Sequence, residues 1–193
     1  MPVPKKGVRV LGIAESYTGH HTNQVTSTLA GIVMRRDLVI DGIVFGSATV
    51  GGMDATNAVL EMIRTLNRDD INLVMMSGCV ISWFNILDPI RIFEETGLPV
   101  TGVTYEDSEG LEEDILHHFP GDLIRLAAYR QLGARRPVLL HTGYPVFIRS
   151  WGVSSNDDEV FCNAFTRDGK IPEPLRVARL CARAVSAFNR TGA

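Results

Sequence analysis

The chain has 193 residues, of which 45% are hydrophobic and 21% charged, which suits one globular domain with a sizeable core and excludes a disordered chain. A formal net charge of -3 excludes a protein that coats nucleic acid by bulk charge, so any such role needs a local basic patch. No apolar run is long enough to span a bilayer, no secretion signal follows "MPVPKKG", and the three cysteines lack metal or redox spacing; a cytoplasmic protein with reduced thiols and no membrane partner is expected.

Residues 8–14 read as a central strand, with Val8 and Val10 on one face and Leu11 and Ile13 on the other. The β-rich runs 25–36 and 38–50 are separated by almost nothing, which predicts an antiparallel meander. The period then changes: "DATNAVLEMIRTLN" places Val59, Ile63 and Leu66 on one helical face, with Asp54 as its N-cap. A strand over "INLVMM", a helix opened by Asp88-Pro89 and ended by Gly97, and a strand over 98–105 follow. Helices over about 108–119 and 121–133 precede "PVLLHTGYPVFIRS", a β-segment whose Gly143 and Pro145 predict a hairpin or a bent ribbon. Two helices close the chain, one from about Ser154 and one after Pro172 and Pro174 with Leu175, Ala178, Cys181, Val185 and Phe188 on its apolar face. A meander followed by alternating helix and strand is a mixed α/β order in a single domain, the order of an RNase H-like sheet and compatible with other α/β folds.

Six stretches, in order, carry a family resemblance: "VRVLGIAES", "DGIVFGSATVGGMDAT", "LNRDDI", "GCVISWFNILD", "EETGLPV" and "PEPLRVARL". Together they resemble the archaeal endonuclease dU family, relatives of endonuclease V. The resemblance implies an RNase H-like fold and magnesium- or manganese-dependent cleavage of DNA that contains a deaminated base, deoxyuridine in particular. Such hydrolysis uses an activated water and divalent ions held by carboxylates that converge at the ends of neighbouring strands. In the family pattern, acids stand after the "GI" of the first strand, in the turn before "DAT", and before the glycine that ends the "INLVMM" strand. This sequence has Ala14, Gly51 and Ser77 there, which implies weak or lost catalysis.

Glu15 and Asp54 are the acids that remain. In a regular strand Glu15 points away from the Ala14 face, and a bulge at the strand end would turn it back. Asp54 serves either as helix cap or as a second acid beside Glu15 on one ion. Ser77 and Asn85 are candidates to orient substrate, and Trp83 with Phe84 either stacks on a base or buries against a helix or a partner subunit. Arg176, Arg179 and Arg183 fall on one stripe of the last helix, to pair with acids or to neutralise phosphates; in the family pattern a histidine stands at Arg179. Arg35, Arg36, Arg135 and Arg136 read as solvated edges, and His20, His21, His117, His118 and His141 have no ligand spacing. Beside a nuclease of reduced activity stand two alternatives, a non-catalytic nucleic-acid-binding module and a subunit of a homodimer or hetero-oligomer.

Overall fold

The structure, a computed structural model, describes residues 7–17 and 25–191. The chain order is β1 (Arg9–Ser16), β2 (Thr26–Arg35), β3 (Ile40–Thr49), α1 (Ala55–Leu66), β4 (Leu73–Ser77), β5 (Val80–Ile81), β6 (Asn85–Ile86), α2 (Pro89–Thr96), β7 (Val100–Thr104), α3 (Glu112–His118), α4 (Leu123–Gln131), β8 (Arg136–Leu139), β9 (Pro145–Trp151), α5 (Ser155–Phe165) and α6 (Glu173–Thr191). Seven strands make one sheet in the order β3-β2-β1-β4-β7-β9-β8, and β5-β6 form a separate two-stranded hairpin.

β1 to β3 form the expected meander, while β4 and β7 run parallel to β1 with Ile13 opposite Met76 and Ser77 opposite Val103. The carboxyl ends of β1, β4 and β7 therefore open on the same edge of the sheet, the place where open α/β sheets bind ligands. β9 and β8 extend the other side as an antiparallel hairpin.

Apolar side chains on both faces of β1 bury it twice. Leu11 and Ile13 join a core with Val59, Leu60 and Met62 of α1, whereas Val10 and Ala14 join one with Leu175 and Ala178 of α6 and Phe165 of α5. Gly12 is required for the second layer, since a Cβ there would lie 2.5 Å from Cβ of Pro174 at the start of α6. Ion pairs add to this: Arg9 and Arg68 grip Asp41 at 2.6 Å each, and Arg68 reaches Asp70 at 2.8 Å, tying β1, β3 and the α1–β4 loop together.

Three features differ from the sequence expectations. The buried face of α6 runs through Leu175, Ala178, Ala182 and Ser186, and Phe188 is 75% exposed, because Pro174 packed on Gly12 fixes the rotation of the helix. Arg135 is not a solvated edge: it donates to the Glu106 carbonyl at 3.0 Å and the Ser108 carbonyl at 2.6 Å. Arg136 bonds the buried Asp158 carboxylate at 2.6 Å.

Candidate functional site

β1 runs regularly through its last residue, pairing Ala14 with Ala30, Glu15 with Leu29 and Ser16 with Thr28. No bulge turns Glu15 back, so its side chain lies on the face of Leu11 and Ile13, opposite Ala14. There it meets the tip of the β5-β6 hairpin: its oxygens accept from the Ser82 amide at 2.8 and 2.9 Å and from the Ser82 hydroxyl at 2.6 Å. Ser27 Oγ makes a short hydrogen bond with Ser82 Oγ behind it. Burial raises the Glu15 pKa above the ordinary value, opposed by the Ser82 bonds, by Ser27 and by the charge of Arg179.

Ser77 ends β4 on the α6 side. Its Oγ accepts from Arg179 Nη2 at 3.1 Å, and the same guanidinium lies 5.5 Å from the centre of the Tyr105 ring just beyond β7. Glu15, Ser16, Tyr17, Ser77, Arg179 and Arg183 line a cavity of about 200 Å³. Ser77 and Arg179 also line an adjoining cleft of about 480 Å³ that continues past Tyr105 to Arg135 and Arg149. The structure thus brings Glu15, Ser77, Arg179 and Arg183 together across elements far apart in sequence. Arg176 is directed elsewhere, held by the Glu173 carboxylate at 3.0 Å through Nε.

Asp54 and Asn85 make a separate lock. Asp54 occupies the N-cap position of α1 without capping it; its carboxylate turns back to accept from Thr49 Oγ1 at 2.6 Å, the Thr49 amide at 3.0 Å and Asn85 Nδ2 at 2.6 Å. Burial pushes the Asp54 pKa up, but the bonds from Thr49 and Asn85 outweigh it and leave the pKa low. Asn85, fully buried, accepts from the Ala55 amide at 3.1 Å and donates to the Thr49 carbonyl at 2.9 Å, so both N–H groups and its oxygen are used within the fold. Its task in this geometry is to hold the β3–α1 turn, not to face a ligand. By contrast, Asp88 caps α2 as expected, accepting from the Arg91 amide at 3.0 Å.

Trp83 and Phe84 stand at the tip of the β5-β6 hairpin, a hairpin that the apolar run "GCVI" did not announce. Ser82, Trp83 and Phe84 have φ of 45°, 60° and 60°, three successive non-glycine residues in the left-handed region, at a cost of about 1–2 kcal/mol each. What offsets this is Arg125 of α4, a residue the sequence reading passed over. It is 4% exposed, donates to the carbonyls of Gly51 at 2.9 Å and Gly52 at 3.0 Å, makes a short bond to the Phe84 carbonyl, and stacks 3.9 Å from the Phe119 ring centre. Gly51, with φ of 69°, completes the grip by donating its amide to the Ser82 carbonyl at 2.7 Å. An acid at position 51 would strain that turn. The Trp83 ring packs at 4.7 Å from His118 and 5.0 Å from Phe84, so it is half-buried against the chain itself.

These residues do not fit a magnesium or manganese centre. The cavity offers one carboxylate, both of whose oxygens already accept hydrogen bonds, facing two guanidinium groups; Asp54 is not among its lining residues. Among the described residues, no three His, Cys, Asp or Glu side chains converge. A divalent ion roughly 5 Å from one guanidinium would be repelled by about 7 kcal/mol at an effective dielectric of ~20, which cancels what one carboxylate at that distance returns. His20 and His21 lie outside the described residues.

The fold defines the class: an RNase H-like sheet of the endonuclease V type. It superposes on an Archaeoglobus fulgidus protein with a TM-score of 0.78 at 24% identity, over 92% of this chain and 98% of that one. It superposes on human endonuclease V with a TM-score of 0.64 at 17% identity, over 100% and 89%. The match to Ciona intestinalis endonuclease V, in complex with a 24mer DNA containing an inosine followed by a ribo-adenosine, has a TM-score of 0.61 at 12% identity over 94% and 87%. Within that class the chain belongs to the endonuclease dU family, whose model matches residues 6–186. Relatives named UPF0215 protein are 36% identical in Pyrobaculum calidifontis, over 92% of this chain and 97% of theirs, and 30% identical in Pyrococcus horikoshii, over 94% and 93%.

Proposed function

We propose that this protein binds nucleic acid across the carboxyl edge of β1, β4 and β7 without metal-dependent cleavage of it, as a module in DNA repair whose first ligand to test is deoxyuridine-containing DNA. The observation that carries the reading is the Arg179 guanidinium bonded to Ser77 at the strand end where the family pattern has an acid. Support also comes from Ala14, which is 4% exposed in an apolar layer and offers no charge at the second of those positions. Endonuclease V of Ciona intestinalis has been crystallised with DNA on the same fold.

The test uses a labelled deoxyuridine-containing oligonucleotide with protein in excess, reading binding by fluorescence anisotropy and strand integrity on a denaturing gel with magnesium or manganese. Bound, uncut DNA is the expected result. Cleavage abolished by a chelator, or no binding at low salt, overturns it.

A second reading, a subunit interface, is favoured by one observation: Ile43 and Phe45 on the edge strand β3 are 50% and 48% exposed, and Leu180 on α6 is 53% exposed. Sedimentation of the wild type beside Phe45→Ser separates the two, because an interface there makes a dimer that the substitution dissociates.

A further inference from the structure

We infer that the space around Ser77 is a binding site for a phosphate oxyanion, with the Arg179 guanidinium standing as a fixed cation where a metal-dependent phosphodiesterase holds its ions. The inference rests on, and deepens, the nucleic-acid reading of the same edge.

Charge decides the sign of the ligand. The Ser77 cavity is lined by one carboxylate, Glu15, and two guanidinium groups, Arg179 and Arg183. Whether Glu15 is ionised or protonated, the lining stays positive. Both Glu15 oxygens are also engaged by Ser82 on the opposite face of the sheet, so the acid is not aimed at an incoming anion. In the adjoining cleft the exposed Glu106 and Asp107 are already paired, Asp107 with Arg135 at 3.5 Å and Glu106 with Lys170 at 3.9 Å, so the positive charge left for a ligand beside Ser77 is that of Arg179 and Arg183.

Pre-organisation and unused donors point the same way. Arg179 is pinned by Ser77 on one side and by the Tyr105 ring on the other, so little side-chain freedom is lost when it meets an oxyanion. Ser77 accepts that bond and keeps its own O–H proton to donate. Tyr105 and Tyr17 line the cleft and the cavity, and their buried hydroxyls have no hydrogen-bond partner among the described residues. Ser77 lies close enough to Tyr105 to ease its ionisation. Burial nonetheless pushes the Tyr105 phenol up to about 12, against Ser77 and Arg179, so it remains a donor at neutral pH. A buried hydroxyl left without an acceptor is costly, and a phosphate oxygen supplies one. Beside Ser77, the two guanidinium groups outnumber the one carboxylate, which Ser82 already engages, and this set of arginine and hydroxyl donors selects a phosphate ester over a cation or a neutral sugar.

The shared chemistry is the phosphate group, from a free phosphate monoester or from the backbone of a strand, and the experiment separates them. Inorganic phosphate, deoxyuridine monophosphate and a single-stranded oligonucleotide are titrated into wild type, Ser77→Asp and Arg179→Gln at constant ionic strength, with circular dichroism as the folding check. Ser77→Asp places a carboxylate beside Arg179 and neutralises it. All three probes are expected to bind the wild type, the oligonucleotide most tightly, and each to weaken at least tenfold in both variants. Tighter binding of the monophosphate than of the oligonucleotide would assign the site to small esters. Arg183→Gln, at an exposed position, reads the same site if either variant fails to fold. Binding unchanged within twofold in folded variants overturns the phosphate site while leaving nucleic-acid binding standing. Phosphate binding that depends on Arg179, without oligonucleotide binding, keeps the site and overturns the nucleic-acid reading; absence of both overturns both.

Discussion

Two residues hold the site edge in shape, and each makes a separable prediction. Arg125 satisfies three backbone carbonyls from a buried position, so Arg125→Met leaves them without donors. At roughly 1–3 kcal/mol per stranded group, partly relaxed, a loss of about 3–5 kcal/mol in urea denaturation is expected, and a loss under 1 kcal/mol would refute its role. Glu15 is raised by burial above its ordinary 4.5, so the folded state takes up a proton there. Its stabilising share is full below about pH 4.5 and is lost as pH rises through the folded value. Asp54, whose pKa is lowered from 3.8, acts in the opposite sense, stabilising above that pH and losing its share as pH falls below it. The stability of wild type minus that of Glu15→Gln should therefore fall as pH rises above 4.5, and a flat difference contradicts the burial. Strand alternation left two orientations for Glu15, away from the Ala14 face or turned back by a bulge, and the regular pairing of β1 gives the first. Its partner Ser82 was not readable, because 67 residues separate them and only the β5-β6 hairpin brings them together.

At the scale of elements, periodicity located nearly every strand and helix, and the meander, the helix starts at Asp88 and near Ser154 and the β8-β9 hairpin stand where the residues placed them. It failed where tertiary contact sets the answer. The β5-β6 hairpin turns through three left-handed non-glycine residues, against local preference, and is held by a distant arginine. The rotation of α6 is fixed by Pro174 on Gly12, which moves the buried face from Phe188 to Ala182. Leu175→Ala is thus expected to cost about 2–5 kcal/mol, while Phe188→Ala, at a residue 75% exposed, should cost under 1 kcal/mol. Comparable losses at the two positions would contradict the observed rotation.

Across the whole molecule, the parallel run of β1, β4 and β7 gathers the ends of three strands and one face of α6 into a single edge. The mixed α/β class was legible from element order, and the RNase H-like type and the missing acids at Ala14, Gly51 and Ser77 from the family resemblance. That the vacated space holds a cation was not, since Arg179 in a helical stripe reads as readily as a surface residue. Of the three arginines of that stripe only Arg179 and Arg183 line the cavity, so substituting both by Gln should flatten the slope of log affinity against log salt on duplex DNA by about 1.8, at roughly 0.9 per phosphate contact; no change would place the DNA elsewhere. The most direct measurement is a titration of manganese into the protein, followed by the paramagnetic resonance of the free ion. A site made of one engaged carboxylate and two guanidinium groups predicts no saturable binding at the carboxyl edge. Stoichiometric manganese binding that Glu15→Gln abolishes would contradict the account.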